Sequence, residues 1–173
     1  MIETTVLGVP LRLETSRGLF SPRAIDEGTL AMLRRISFTP DDKVLDLGCG
    51  YGVVGVFAAK LIGPARVWLL DNDTAAVAQA TANLALNQVE GAACVVSDGF
   101  ADFAQSGFTK IICNPPYHAD FSVPRRMIEK DFNRLVIGGA LWMVTKREAW
   151  LPQQALQGVR WREGIRRRRL FRL

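Results

Sequence analysis

Asn114-Pro115-Pro116-Tyr117 brings together the residue types in this sequence best suited to chemistry. The Asn114 side-chain oxygen and the Pro115 carbonyl are neutral acceptors, and together they can take both hydrogens of one amine. A conjugated amine is a poor nucleophile because its lone pair is delocalised. Holding both N–H hydrogens biases the nitrogen towards tetrahedral geometry and stabilises the positive charge that develops as it attacks. Asn114 precedes proline and is pushed to an extended backbone, while the two prolines lock φ, so the acceptors point in fixed directions before any substrate arrives. Tyr117 can stack on a flat acceptor such as a base. An ordinary proline-rich turn after a strand is the plain alternative, but turn chemistry does not call for Asn and an aromatic flanking two prolines. Asn114, Pro115, Pro116 and Tyr117 are therefore the candidate catalytic set.

A second constellation lies upstream. Gly48, Gly50 and Gly52 let the backbone turn sharply and approach a ligand closely. Formally, Gly50-Tyr51-Gly52-Val53-Val54-Gly55 satisfies G-x-G-x-x-G, with Asp71 about 20 residues on, so a dinucleotide oxidoreductase is one reading. Asp46 counts against it, because its carboxylate just before the glycines would repel a pyrophosphate placed at this loop. S-adenosylmethionine has no phosphate and carries an ammonium and a sulfonium, for which an acid beside the loop is favourable. In that reading Asp71 takes the two ribose hydroxyls and Asp98 the adenine amino group. Cys49, Asn72 and Gly99 flank these acids, and with Gly48, Gly50 and Asn114 they complete the expected cofactor surface. Each aspartate alone is equally compatible with a helix cap or a turn; acids after three successive strands are harder to dismiss.

Those strands are read from periodicity. Lys43 to Leu47 is a short apolar run entering the glycines, after which Val53, Val54, Phe57, Ala58 and Leu61 recur at helical spacing. Arg66 to Leu70 reads as a second strand and Thr74 to Asn87 as a helix with Asp73 its N-cap. Ala92 to Val96 and Thr109 to Cys113 read as the third and fourth strands, Pro124 to Leu135 as a helix, and Ala140 to Thr145, after a Gly138-Gly139 turn, as a fifth buried strand. Alternation of this kind implies a mostly parallel α/β sheet covered on both faces, with ligands beyond the carboxyl ends of the strands. Residues 1 to 40 predict a hairpin and then a lid helix from Ala24 to Ile36. A short helix and an antiparallel strand pair are expected beyond Trp150.

The 173 residues, 49% hydrophobic and 23% charged, suit one domain: an N-terminal hairpin and lid over 1–40 and a catalytic core over 41–173. The N-terminus lacks a cationic stretch before an apolar run, and no uninterrupted apolar segment is long enough to span a bilayer, so no membrane role and a cytoplasmic location are expected. Cys49, Cys94 and Cys113 lack C-x-x-C spacing and read as reduced thiols. With His118 the single histidine, no zinc constellation and no metal are expected. The net charge of +5 is local: residues 160–173 hold seven arginines against Glu163 and carry +6, leaving −1 for the rest. Such a run suits nucleic-acid phosphates and equally a solvated face. Nothing in the sequence sets an oligomeric state, and a monomer is compatible with it.

Asp46-Leu47-Gly48-Cys49-Gly50, Asp71, Asp98 and Asn114-Pro115-Pro116-Tyr117-His118 resemble the class I methyltransferases, and within them the methyltransferase small domain family, over about residues 18 to 157. Gly18-Leu19-Phe20-Ser21 followed by Asp26-Glu27-Gly28-Thr29 is similar to that family's segment before the first strand, which implies a cofactor contact at Phe20. Gly139 to Val144 resembles its fifth strand. The resemblance implies a Rossmann-like fold with a mostly parallel seven-stranded sheet and an antiparallel C-terminal strand. It also implies S-adenosylmethionine as cofactor. Members with this pattern include bacterial ribosomal RNA guanine-N2 methyltransferases, and His118 after the tyrosine favours that group. RNA, ribosomal in kind, is then the expected substrate, with Tyr117, His118, Arg125 and Arg126 as its contacts. Two departures stand out. Ala119-Asp120 replaces a glycine that many relatives place after the histidine, and the larger ribosomal RNA enzymes carry an extra N-terminal domain without a counterpart in these residues. A protein glutamine N-methyltransferase shares the same acceptor motif, and a non-catalytic cofactor- or RNA-binding module is the reading from another class.

Overall fold

The computed structural model describes residues 1–101, 103–115, 132–145 and 169–172. Its centre is a six-stranded sheet built around β3 (Val44–Leu47), every residue of which is buried. β4 (Val67–Asp71) and β5 (Ala93–Val96) lie in parallel on one side of β3, and β6 (Phe108–Cys113) and β7 (Leu135–Thr145) on the other, in the order β5-β4-β3-β6-β7-β8. The edge strand β8 (Arg169–Arg172) runs antiparallel to β7 and places part of the arginine-rich run in the sheet. Strand order reverses between β3 and β6, which opens a crevice above their carboxyl ends. The fold is therefore the expected mixed α/β arrangement with an antiparallel C-terminal strand. Among the described residues the sheet has six strands, not seven; the strand pair expected beyond Trp150 falls largely on residues outside those described.

Side chains alternate across this sheet as a pleat requires. Val44, Val67, Leu69 and Ile112 join one core cluster with α2 (Val53–Ile62), α3 (Thr74–Leu86) and the N-terminal strands β1 (Ile2–Val6) and β2 (Val9–Leu13). Leu45, Leu47, Leu70, Ile111 and Cys113 join the other, with Phe100, Phe103 and Phe108. Gly55 shows how closely the first layer packs. A Cβ there would meet Leu69 Cδ2 at 2.2 Å, so α2 can lie on β4 only without a side chain at that position. At the far end of β3 the Asp42 carboxylate accepts from the Thr39 N–H (2.7 Å), the Thr109 hydroxyl (2.7 Å) and the Lys110 ammonium. Burial alone would raise its pKa; these partners outweigh that and hold it below the usual carboxylate value.

Three elements differ from expectation. α1 spans Glu27–Leu33 rather than Ala24 to Ile36, because the Asp26 carboxylate accepts from the Thr29 N–H (3.1 Å) and sets the start of the helix there. Leu135 belongs to β7, not to a helix, and follows a short 3-10 turn at Phe132–Arg134; residues 124–131 of the expected helix lie outside those described. Gly138-Gly139 is an irregularity within β7 and not a turn before it. Phe108 pairs with Leu135 but Lys110 with Ala140, and the extra β7 residues are absorbed where Gly138 has φ 83°.

The hairpin is tied to α3 by two asparagines that the periodicity did not single out. Asn83 accepts from the Glu14 N–H (2.8 Å) and donates to the carbonyls of Glu14 (2.8 Å) and Tyr51 (2.8 Å). Asn87, one turn on, accepts from the Arg12 N–H (3.1 Å) and donates to the carbonyls of Arg12 (2.6 Å) and Asn83 (2.8 Å). The two amides thus act on β2 as a neighbouring strand would, and Asn83 also fixes the glycine loop. Asn83 is fully buried, so Asn83→Ala leaves buried peptide groups unpaired and is expected to cost about 3 kcal/mol. Differential scanning calorimetry should show Tm lower by roughly 6–12 °C; an unchanged Tm would mean that water replaces the amide at no cost.

Candidate active site

Above the carboxyl ends of β3, β4, β5 and β6 lies a cleft of about 420 Å3. All ten residues expected on the cofactor surface line it: Phe20 from the segment before α1, Asp46, Gly48, Cys49 and Gly50 from β3 and its loop, Asp71 and Asn72 after β4, Asp98 and Gly99 after β5, and Asn114 after β6. Of the candidate catalytic set, Pro115 is described and buried, whereas Pro116 and Tyr117, together with His118, Arg125 and Arg126, lie outside the described residues. Thr29, from the segment singled out before the first strand, also lines it, whereas other lining residues such as Ala76 and Phe100 had not been singled out. Phe100 follows the Asp98-Gly99 pair directly, so its place beside β5's loop is the one signal that pointed to it.

The glycine loop is shaped by backbone conformation. Gly48, Gly50 and Gly52 have φ of 71°, 54° and 88°, and a Cβ on Gly48 or Gly50 would meet only open space. Their role is therefore the turn itself, which glycine makes without steric cost. The loop is held from below, where the N–H groups of Gly48 (2.8 Å) and Cys49 (2.9 Å) both donate to the Leu70 carbonyl. Asp71 holds it from the side. Its Oδ2 accepts from the Gly50 N–H (2.8 Å) and its Oδ1 from the Asp73 N–H (3.0 Å). A carboxylate has about four lone-pair sites, so each oxygen retains one for a ligand hydroxyl.

Asp46 is 3% exposed. Its Oδ2 accepts from the Gly55 N–H (2.8 Å), which is one of the donors left unpaired at the start of α2. The helix-cap alternative for this residue is thus realised, and the carboxylate also forms part of the cleft floor. Burial pushes its pKa up to about 7, the Gly55 hydrogen bond opposes this, and the Asp71 charge adds to it. Cys49, also buried and facing the same acids, is raised well above its ordinary value, which disfavours its thiolate.

Asn114 follows β6, on the other side of β3 from Asp71 in the sheet order. Its Nδ2 donates to Thr29 Oγ1 (2.8 Å) and Asp26 Oδ2 (3.2 Å), so the segment before the sheet reaches over and grips the residue 85 positions away. Tyr51 adds a further tie, donating from its hydroxyl to the Ser21 carbonyl (3.4 Å). Burial, with the Asp26 charge, pushes this phenol up to about 12, so it stays a donor.

The strands, glycine loop and Asn-Pro pair that build this cleft fall within residues 10–167, over which the chain matches the sequence model of the methyltransferase small domain. The chain belongs to this family. Two relatives within reach of it are both ribosomal RNA small subunit methyltransferase C. The Pseudomonas paraeruginosa protein is 33% identical over 138 residues, covering 78% of this chain and 41% of that protein. The Hamiltonella defensa protein is 34% identical over 150 residues, covering 84% and 44%. A solved structure of the T. thermophilus 16S rRNA N2 G1207 methyltransferase (RsmC), in complex with AdoMet and guanosine, superposes with a TM-score of 0.85 at 23% identity. It covers 99% of this chain and 49% of that one, and shows a shared fold. The chain spans less than half the length of the curated relatives it matches. Among the described residues, no helix is long and apolar enough to cross a membrane.

Proposed function

We propose that this family member is an S-adenosylmethionine-dependent N-methyltransferase acting on the exocyclic amino group of a guanine in small-subunit ribosomal RNA. The observation that carries the reading is the sharing of one cleft by Asp46, Asp71 and Asp98, on β3, β4 and the loop after β5, with the anchored Asn114 after the neighbouring strand β6. The donor and acceptor set fits this cofactor. A buried carboxylate beside the glycine loop suits a cation and opposes a pyrophosphate, Asp71 keeps acceptor capacity for a diol, and Leu47, Leu70 and Phe100 offer apolar walls for a flat ring. When bound, the cofactor supplies an electrophilic methyl group on a sulfonium.

The chain's own residues do the remaining work. Asp46 and Asp71 hold cationic and hydroxyl groups at the glycine loop, and Asp98 meets the adenine edge. Asn114 Oδ1 and the Pro115 carbonyl accept the two hydrogens of the attacking amine, localising its lone pair and stabilising charge as it develops. Neutral acceptors suffice, since no proton has to leave before transfer. The names of the curated relatives support small-subunit ribosomal RNA as the substrate, the structural neighbour's name supports guanine N2 as the acceptor, and the arginine-rich run at 160–173 supports a polyanion.

Incubation with methyl-labelled cofactor and unmodified 16S ribosomal RNA, followed by digestion to nucleosides, is expected to place label in N2-methylguanosine. Label in another nucleoside, or in a protein fraction as methylglutamine, would overturn the substrate.

A further inference from the structure

We infer that Asp26 and Thr29 are positioning residues that fix the amide of Asn114 in one of its two flips, so that this side chain can accept hydrogen bonds at the acceptor end of the cleft but cannot donate them. This rests on the role given to Asn114 above. An asparagine amide presents a donor edge and an acceptor edge of nearly equal size, and by itself it would serve a carbonyl-bearing ligand as well as an amine. Here one edge is committed. Nδ2 lies 2.8 Å from Thr29 Oγ1 and 3.2 Å from Asp26 Oδ2. The second contact decides the flip, because Asp26 Oδ2 already serves as an acceptor for the Thr29 N–H, so the atom facing it must be the nitrogen. Turning the amide over would set Oδ1 against that carboxylate.

The clamp is itself held. Asp26 Oδ2 also accepts from the Thr29 N–H (3.1 Å), so the carboxylate cannot swing away without uncapping α1. Thr29 is 6% exposed. On the other side, Asn114 precedes Pro115, which restricts its backbone. The acceptor end therefore has a fixed polarity that selects a substrate offering N–H groups, and Asp26 also accounts for asparagine at 114, since a carboxylate there would face a like charge.

The test uses the full chain and two readouts. The first needs no substrate: in nitrogen-resolved NMR spectra the Asn114 side-chain NH2, assigned by its disappearance in Asn114→Ala, should exchange slowly with solvent. Thr29→Val should lose that protection and Thr29→Ser should keep it. The second is turnover on 16S ribosomal RNA with labelled cofactor. Thr29→Val should lower kcat about 30-fold with KM nearly unchanged, Thr29→Ser should recover to within about threefold of native, and cofactor affinity should not move in either. Protection equal in Thr29→Val and native protein overturns the clamp. So does an unprotected amide with native kcat in a preparation where Asn114→Ala is inactive. Were Asn114→Ala fully active while the protection pattern held, the clamp would stand and the catalytic role of Asn114 would fall.

Discussion

Asn114→Ala is expected to lower kcat roughly 100- to 1,000-fold while cofactor affinity stays within a few-fold of native. Removing one preorganised acceptor from a site of developing charge has an effect of that order. The alanine keeps the pre-proline backbone, and Pro115 keeps its carbonyl, so what is lost is one of two hydrogen-bond acceptors and the contacts to Thr29 and Asp26. Single-turnover rates with labelled cofactor separate this loss from any change in product release. Isothermal titration with S-adenosylhomocysteine reports the affinity. Native turnover in the variant would move the chemistry away from β6 altogether, and a matching loss of affinity would mean that Asn114 serves the cofactor and not the amine.

For Asp46→Asn the expected change is in affinity and in its pH dependence. The asparagine can still accept from the Gly55 N–H, so the cap on α2 survives and the charge alone is removed. A hydrogen-bonded charge facing a cation supports a loss of roughly 10- to 100-fold in affinity for S-adenosylmethionine at pH 8. In the free native protein the carboxyl titrates near 7. A cation prefers its ionised form, so native affinity should rise with pH up to about 7 and level off above it. Below that point it should fall by up to about tenfold per unit. The Asn variant should lack this component. Titrations between pH 6 and 7 in buffers of different ionisation enthalpy would detect the proton released on binding, and native curves parallel to those of the variant would remove Asp46 from the cofactor site.

The same group has an opposite effect on folding. Its pKa is about 7 when folded, against an ordinary aspartate value of 3.8, so between those values the folded chain holds a proton that the unfolded chain has lost. Asp46 therefore lowers stability as pH rises through that window. The Tm of Asp46→Asn, relative to native, should move upward from pH 4 to pH 7 and change little beyond. A binding acid that costs stability in the free protein is consistent with selection for the site over the fold.

Much of the cleft was legible in the sequence because it is built at strand ends, where polarity changes abruptly. The apolar run Val44–Leu47 interrupted by Asp46, the glycines that follow, and the acids after β4 and β5 are local signals, each read within a few residues. In a parallel α/β sheet such signals converge by topology alone, since all the strands point the same way. The restriction on the Asn114 backbone is equally local, as the following proline imposes it.

What needed the tertiary structure was every relation between distant residues of ambiguous type. Asp26 falls inside the helix expected from Ala24; in the fold it caps α1, and the same oxygen also faces Asn114, 88 positions away. Asn83 in the alanine-rich α3 and Asn87 at its C-cap give no local sign that they pair with the peptide groups of Arg12 in β2 and Glu14 just after it. The irregularity at Gly138-Gly139 depends on how β7 lies against β6. Backbone preference and hydrophobic period are carried by neighbours along the chain, so the sequence determined the strands, the glycine loop and the chemistry of the strand ends. Hydrogen-bond partners and ionisation are carried by neighbours in space, so only the folded structure decided which way Asn114 turns and at what pH Asp46 carries its charge.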